Sequence, residues 1–226
     1  MRNKSFTYTY KFATNPYPGL FIAFEGIDGS GSTTKVEKFY DFFVGRGIQS
    51  VKTEEPSSGP VGSIIRWALS RGLQIDPRTL QLMFTTDRSD HLFSERGIVG
   101  SLKKGITVLS SRYLASTPAF GYSEEEDIDF LIAAQSKFFL LDLMFFLDVK
   151  PEVSVGRLKN TRSGIDRFET LERLKKAYRG YQLLLKKFPG MMIPINGEEE
   201  VEVVMNSILV YILEHPKFKR LLKRPR

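Results

Sequence analysis

Cysteine is absent from the 226 residues, and histidine occurs only twice, at His91 and His215. A thiol nucleophile, a disulfide framework and a cysteine-based metal centre are therefore excluded, and two separated histidines are too few for a zinc cluster. Long apolar runs are missing as well. The longest, 138–149, carries Asp142 and Asp148, falls well short of the ~20 residues of a membrane span, and reads as a helix end followed by a buried strand. The N-terminal MRNKSFTYTYKF has basic residues but no continuous apolar segment and no small-residue cleavage site, so no secretory signal is expected. These absences predict a cytoplasmic protein with no membrane partner.

What is present is globular. The chain is 42% hydrophobic and 26% charged, with 18 glycines and 11 prolines, which excludes collagen-like and disordered classes and is enough for one domain with its own core. A net charge of +7 implies an anionic partner. Part of that excess is a terminal cluster, Lys217, Lys219, Arg220, Lys223, Arg224 and Arg226, expected to be a solvated tail over 214–226 rather than a nucleic-acid site. Residues 1–19 read as an arm ending in NPYPG, and 20–213 as the domain.

Within the domain, short β-branched and aromatic runs alternate with helical patterns. Strands are expected at LFIAFEG (20–26), IQSVKTEE (48–55), GITVLSS (105–111), LMFFLDV (143–149) and MMIPIN (191–196). Helices are expected from Val36 to a Gly stop at 45, then over 61–70, 78–104 with a break near Gly97, 124–139, 151–158, 168–187 and 198–213. The alternation predicts a doubly wound α/β domain whose parallel strands are buried on both faces, with the ligand beyond their carboxyl ends.

The first strand-to-helix turn is Gly26-Ile27-Asp28-Gly29-Ser30-Gly31-Ser32-Thr33. Its GxxxxG spacing and terminal Thr are those of a phosphate-binding P-loop, in which curled backbone amides and a helix N-terminus hold a di- or triphosphate. Gly26 through Thr34 are thus the candidate ATP-binding residues, with the Thr33 hydroxyl placed for Mg²⁺. The position that should be lysine is Ser32, which offers only a hydroxyl. Lys35, one turn into the helix, is expected to point elsewhere.

Five blocks in this order resemble the thymidylate kinase family. FEGIDGSGSTT resembles FEGxDGxGKTT, TEEPSSGPVGSIIR resembles REPGGTPLGExIR, and LMFTTDRSDHL resembles LLFxAxRxxH. SSRYLASTPAFGY resembles DRYxxSxxAYQG, and RSGIDRFE resembles the arginine-rich lid of the bacterial-type enzymes. The resemblance spans 20–213 and implies a P-loop kinase fold with a five-stranded parallel sheet flanked by helices and a short mobile lid. It also implies a homodimer and Mg²⁺-dependent transfer of the ATP γ-phosphoryl group to dTMP.

Carried onto this chain, the resemblance assigns Arg66 and Arg112 to the dTMP phosphate, Phe84 to stacking on the thymine, and Arg88 to its carbonyl. Asp28 falls near the sugar 3′-hydroxyl, Ser116 and Thr117 line the base pocket, Phe120 crowds the 2′ position, and Glu55 matches the Glu-Pro turn. Catalytic charge is expected from Arg162 and Arg167 in a lid over 157–167, together with Arg112, because members with Gly at position 29 take their cations from the lid. The chain departs from the pattern where Ser32 replaces Lys, Ser111 replaces the Asp of DRY, Glu54 replaces Arg and Gly121 replaces Gln. The paired loss at Ser32 and Ser111 is coherent if the two positions interact, since removing one partner alone would strand the other. Two alternatives stand beside dTMP phosphorylation: another nucleoside monophosphate kinase, or a catalytically weak nucleotide-binding regulator.

Overall fold

The computed structural model describes residues 11–122, 125–161 and 171–223. Five strands make one sheet: β1 (Phe21–Glu25), β2 (Ser50–Glu54), β3 (Thr107–Ser111), β4 (Leu143–Asp148) and β5 (Ile193–Asn196). Their order is β2-β3-β1-β4-β5, and every neighbouring pair is parallel. Parallel strands need crossover connections, which the helical stretches between them supply.

Alternation along β1 divides the core. Phe21 and Ala23 pack on one face with Val108, Tyr113, Met144 and Phe146, while Ile22 and Phe24 pack on the other with Leu109, Phe145, Phe39 and Ile208. That is why β1, β3 and most of β4 are buried along their length, with no solvent-facing side. β2 departs from the expectation of burial on both faces. It is an edge strand, and Val51 and Lys52 are exposed.

The helices are α1 (Ser32–Val44), α2 (Pro60–Ser70), α3 (Pro77–Phe93), α4 (Ile98–Lys103), α5 (Ser116–Gly121), α6 (Glu125–Ala134), α7 (Pro151–Thr161), α8 (Leu171–Lys187), α9 (Val201–Glu214) and α10 (Pro216–Leu221). The break expected near Gly97 separates α3 from α4, with Gly97 as the N-cap of the second. The helix expected over 124–139 stops at Ala134, where Gln135 turns inward to accept from Arg88. α8 lies close against α5 because Gly180 carries no side chain: a β-carbon there would meet the Ala119 carbonyl oxygen at 2.4 Å.

The basic terminal segment is not merely a solvated tail. Phe218 and Leu221 of α10 are buried against Phe42 and Phe43, and Lys217 pairs with Asp142 at 2.8 Å. Asp142 also accepts from the Phe21 N–H at 2.8 Å and from Asn15 Nδ2 at 2.7 Å. One carboxylate thereby ties 15, the start of β1 and α10 together at the amino edge of the sheet, opposite the loops that carry the chemistry.

Candidate functional site

The turn from β1 to α1 takes the expected curled path, with Gly26, Gly29 and Gly31 at φ +153°, +83° and +94°. Gly31 caps α1 without any side-chain hydrogen bond to the helix, so the first-turn amides are available to a ligand. α7 packs directly on the loop. A β-carbon on Gly29 would lie 2.8 Å from the Ser154 carbonyl oxygen and 3.0 Å from Leu158, so this position is closed to any side chain.

Ser32 and Ser111, at the positions where the resemblance leads one to expect a lysine and an aspartate, do touch: Ser111 Oγ donates to Ser32 Oγ at 2.9 Å, and both are buried. Thr33 lines a neighbouring cleft with Glu54, Ser58 and Ser111. Lys35 does not point away from the loop. Helical side chains lean back toward the N-terminus, and its Nζ lies 3.9 Å from where a β-carbon on Gly31 would sit. Burial lowers its pKa, and the nearby Arg157 and Lys38 lower it further against Glu202.

Beside the loop opens a cleft of about 790 Å³, walled by Pro56, Leu69, Phe84 and Phe120 and bearing Asp28, Glu55, Gln81, Arg88, Arg112, Ser116, Thr117 and Arg173. Apolar walls with a few convergent polar groups suit a flat ring carrying an anion. Phe84 is half-buried and faces this cleft. Arg112 adopts φ +72°, uncommon for a residue with a side chain. Its guanidinium donates to the Gly26 carbonyl at 3.0 Å, pairs with Asp28, and covers the Phe120 ring at 4.7 Å. Burial lowers the Arg112 pKa, but Asp28, Tyr181 and Glu25 outweigh it and the net shift is upward. Arg66 lies just outside the lining, donating to the Pro56 carbonyl at 2.5 Å.

Arg88 is fully buried and its five N–H donors are all engaged. Nε and Nη2 donate to Glu55, Nη1 to Thr117 Oγ1 at 3.0 Å and to Gln135, and Nη2 also to the Tyr113 carbonyl at 2.7 Å. Burial raises the Glu55 carboxyl, but Arg88 and then His91 outweigh it and hold the pKa below the usual value. Thr117 accepts from Arg88 and keeps its hydroxyl proton, so on the cleft wall Thr117 is the available donor and Arg88 fixes it.

The structure therefore brings Asp28, Glu55, Phe84, Arg88, Arg112, Ser116, Thr117 and Phe120 to one cleft adjoining the loop, with Arg66 at its margin. Arg162 and Arg167 fall outside the described residues. Sequence reasoning missed Glu25, whose buried carboxylate accepts from the Tyr113 and Ala115 amides and from Ser116 and Tyr181 hydroxyls at 2.6–3.2 Å. Its signal was a lone acid in an apolar strand. Arg173, over Phe120 at 5.5 Å, had none, because it sits on α8, an ordinary basic helix.

The family model described as thymidylate kinase matches residues 24–208. The chain is 31% identical over 201 residues to a protein of Thermococcus kodakarensis named "Probable thymidylate kinase", covering 85% of this chain and 97% of that one. It is 32% identical over 184 residues to a thymidylate kinase of Leptospira borgpetersenii, with 80% and 89% covered. Against that of Clostridium novyi it is 31% identical over 199 residues, with 84% and 96% covered.

Proposed function

The chain belongs to the thymidylate kinase family, and from that premise we propose how its residues divide the work. It transfers the γ-phosphoryl group of ATP to dTMP, giving ADP and dTDP. The acceptor oxygen is already anionic, so no general base is required. Catalysis consists of bringing two anions in line and neutralising charge on the transferred group.

The loop amides of Gly26 to Thr34 hold the ATP phosphates. Arg112 holds the dTMP phosphate, with Arg66 as its second fork and Asp28 setting the Arg112 orientation; guanidinium groups suit paired phosphate oxygens. Phe84 stacks on the thymine, Thr117 donates to its carbonyl, and Phe120, held between Arg112 and Arg173, crowds the sugar and favours the deoxy form. Arg162 and Arg167 bring positive charge to the transferred phosphoryl.

Nothing among the described residues forms a cluster of three or more His, Cys, Asp or Glu that could hold a metal by itself. The cleft with Thr33, Glu54, Ser58 and Ser111 offers hard oxygen donors only, which is the chemistry of a magnesium ion carried mainly by nucleotide phosphates. Thr33 and Glu54 would hold Mg²⁺, Glu54 lying in register beside the Ser111 that lacks a carboxylate. The ion supplies charge neutralisation on the phosphate chain.

The observation that carries this reading is Arg112, bonded at once to the loop carbonyl of Gly26 and to Asp28 while lining the acceptor cleft. The test is ADP release with ATP, Mg²⁺ and each of dTMP, dUMP, UMP, CMP, AMP and GMP. Turnover with dTMP, weaker with dUMP, is expected; turnover with a ribonucleotide instead would overturn the acceptor assignment. A cytoplasmic homodimer completes the proposal, supported by exposed Ile64, Trp67 and Phe93 on α2 and α3. Sedimentation at micromolar concentration tests it. No helix among the described residues is long and apolar enough to cross a membrane.

A further inference from the structure

The loop lacks its lysine, yet an ammonium group stands beside it. Lys35 is only 5% exposed, and its backbone N–H is bonded to the Gly31 carbonyl at 3.0 Å. Among the described residues, and leaving aside the adjoining Ser30 and Ser32, only Lys35 Nζ comes within 4 Å of where a β-carbon on Gly31 would point, at 3.9 Å. The helix-opening glycine is thus faced by open space with a cation at its margin.

Among the described residues no hydrogen bond or ion pair reaches Lys35 Nζ. Its close cationic neighbours are Arg157 and Lys38, and the carboxylate that acts on it, that of Glu202, is engaged with Lys38 at 3.7 Å. A buried ammonium among other cations is unfavourable unless an anion joins them. Ser32, at the position where a loop lysine would stand, is occupied with Ser111. Lys35 follows Ser32 by three residues, so the two share one side of α1, and the backward lean of a long four-carbon side chain returns its charge to the level of the loop.

We propose that Lys35 binds the phosphate chain of the nucleoside triphosphate from one turn inside α1, replacing the loop lysine that Ser32 does not provide. The assignment rests on the reading that the loop holds ATP. A lysine acts on phosphate as a point charge on a flexible stem, so displacement by one helical turn preserves the attraction while changing which oxygens it meets.

Calorimetric titration of the full chain with ATP and Mg²⁺, and separately with dTMP, tests the proposal in the wild type, Lys35→Met and Lys35→Arg, with a thermal melt of each. Lys35→Met is expected to weaken ATP binding about 10- to 100-fold, the range of a charge-assisted hydrogen bond. Its dTMP affinity should stay within about twofold, and Lys35→Arg should fall between the two in ATP affinity. ATP affinity within about twofold of wild type in folded Lys35→Met, or equal weakening toward dTMP, overturns it. Should Lys35→Met fail to fold, Lys35→Gln takes its place; failure of both neutral variants beside a folded Lys35→Arg assigns Lys35 to structure alone and also overturns the proposal. A folded wild type that binds no ATP instead overturns the loop reading, independently of Lys35.

Discussion

Four charged side chains in the acceptor cleft are held in two pairs, Glu55 with Arg88 and Asp28 with Arg112, and the consequences of removing one depend on what its partner is left with. Arg88→Met removes five donors and leaves the buried Glu55 carboxylate with its weaker His91 contact at 3.4 Å in place of its guanidinium (side-chain exposures of Arg88 and Glu55 1% and 3%). The expected loss is about 3–5 kcal/mol of stability, read by urea denaturation. Thr117→Val should cost less, about 1–3 kcal/mol for the one Arg88 N–H it leaves unpaired, and raise the KM for dTMP about tenfold, the value of one hydrogen bond to a polar base edge. The contrast separates the residue that contacts the base from the one that orients it. Arg167→Ala should lower kcat with little change in dTMP affinity, the pattern of an interaction made only in the transition state, checked by comparing kcat with a directly measured Kd. Spacing made Phe84 and Arg88 legible as neighbours on one helix face. It could not reveal that Arg88 is saturated, because Glu55, Tyr113 with Thr117, and Gln135 reach it from three distant stretches of chain.

At the scale of elements, sequence periodicity was a sound guide wherever one principle acted alone. The central strands β1 and β4 were readable because parallel strands buried on both faces are continuous apolar runs, and the helix break near Gly97 because glycine stops helices. It failed where tertiary contacts decide. The segment after 214 reads as solvated because lysine and arginine dominate it, while two apolar residues among them, Phe218 and Leu221, pack α10 under α1. Phe218→Ala should therefore cost about 3–5 kcal/mol of stability with kcat unchanged under conditions where the protein stays folded, measured by thermal unfolding beside the coupled assay. A wholly solvated segment predicts no change in either. Lys35 illustrates the same limit from the other side: its place in the sequence is one turn past the loop, and only the direction of helical side chains returns it.

For the molecule as a whole, the acid response should centre on Glu55. Its folded pKa lies below the unfolded one, so its contribution is complete above the unfolded value, near 4.3, and is lost as pH falls through the folded value. Urea unfolding between about pH 3 and 6 should show a steeper decline in wild type than in Glu55→Gln. The division between edges of the sheet matters for substitution as well as for stability. The Asp142 anchor and the reactive loops lie at opposite ends of the strands, so substitutions among the loops leave the anchor untouched. Within the loops, however, Ser32 and Ser111 share a neutral hydrogen bond in a buried place. Replacing either one alone by a charged residue would bury a lone charge, and only a lysine and a carboxylate introduced together could pair with each other there. The charged arrangement is thus separated from this chain by two simultaneous changes, with no favourable single step between them.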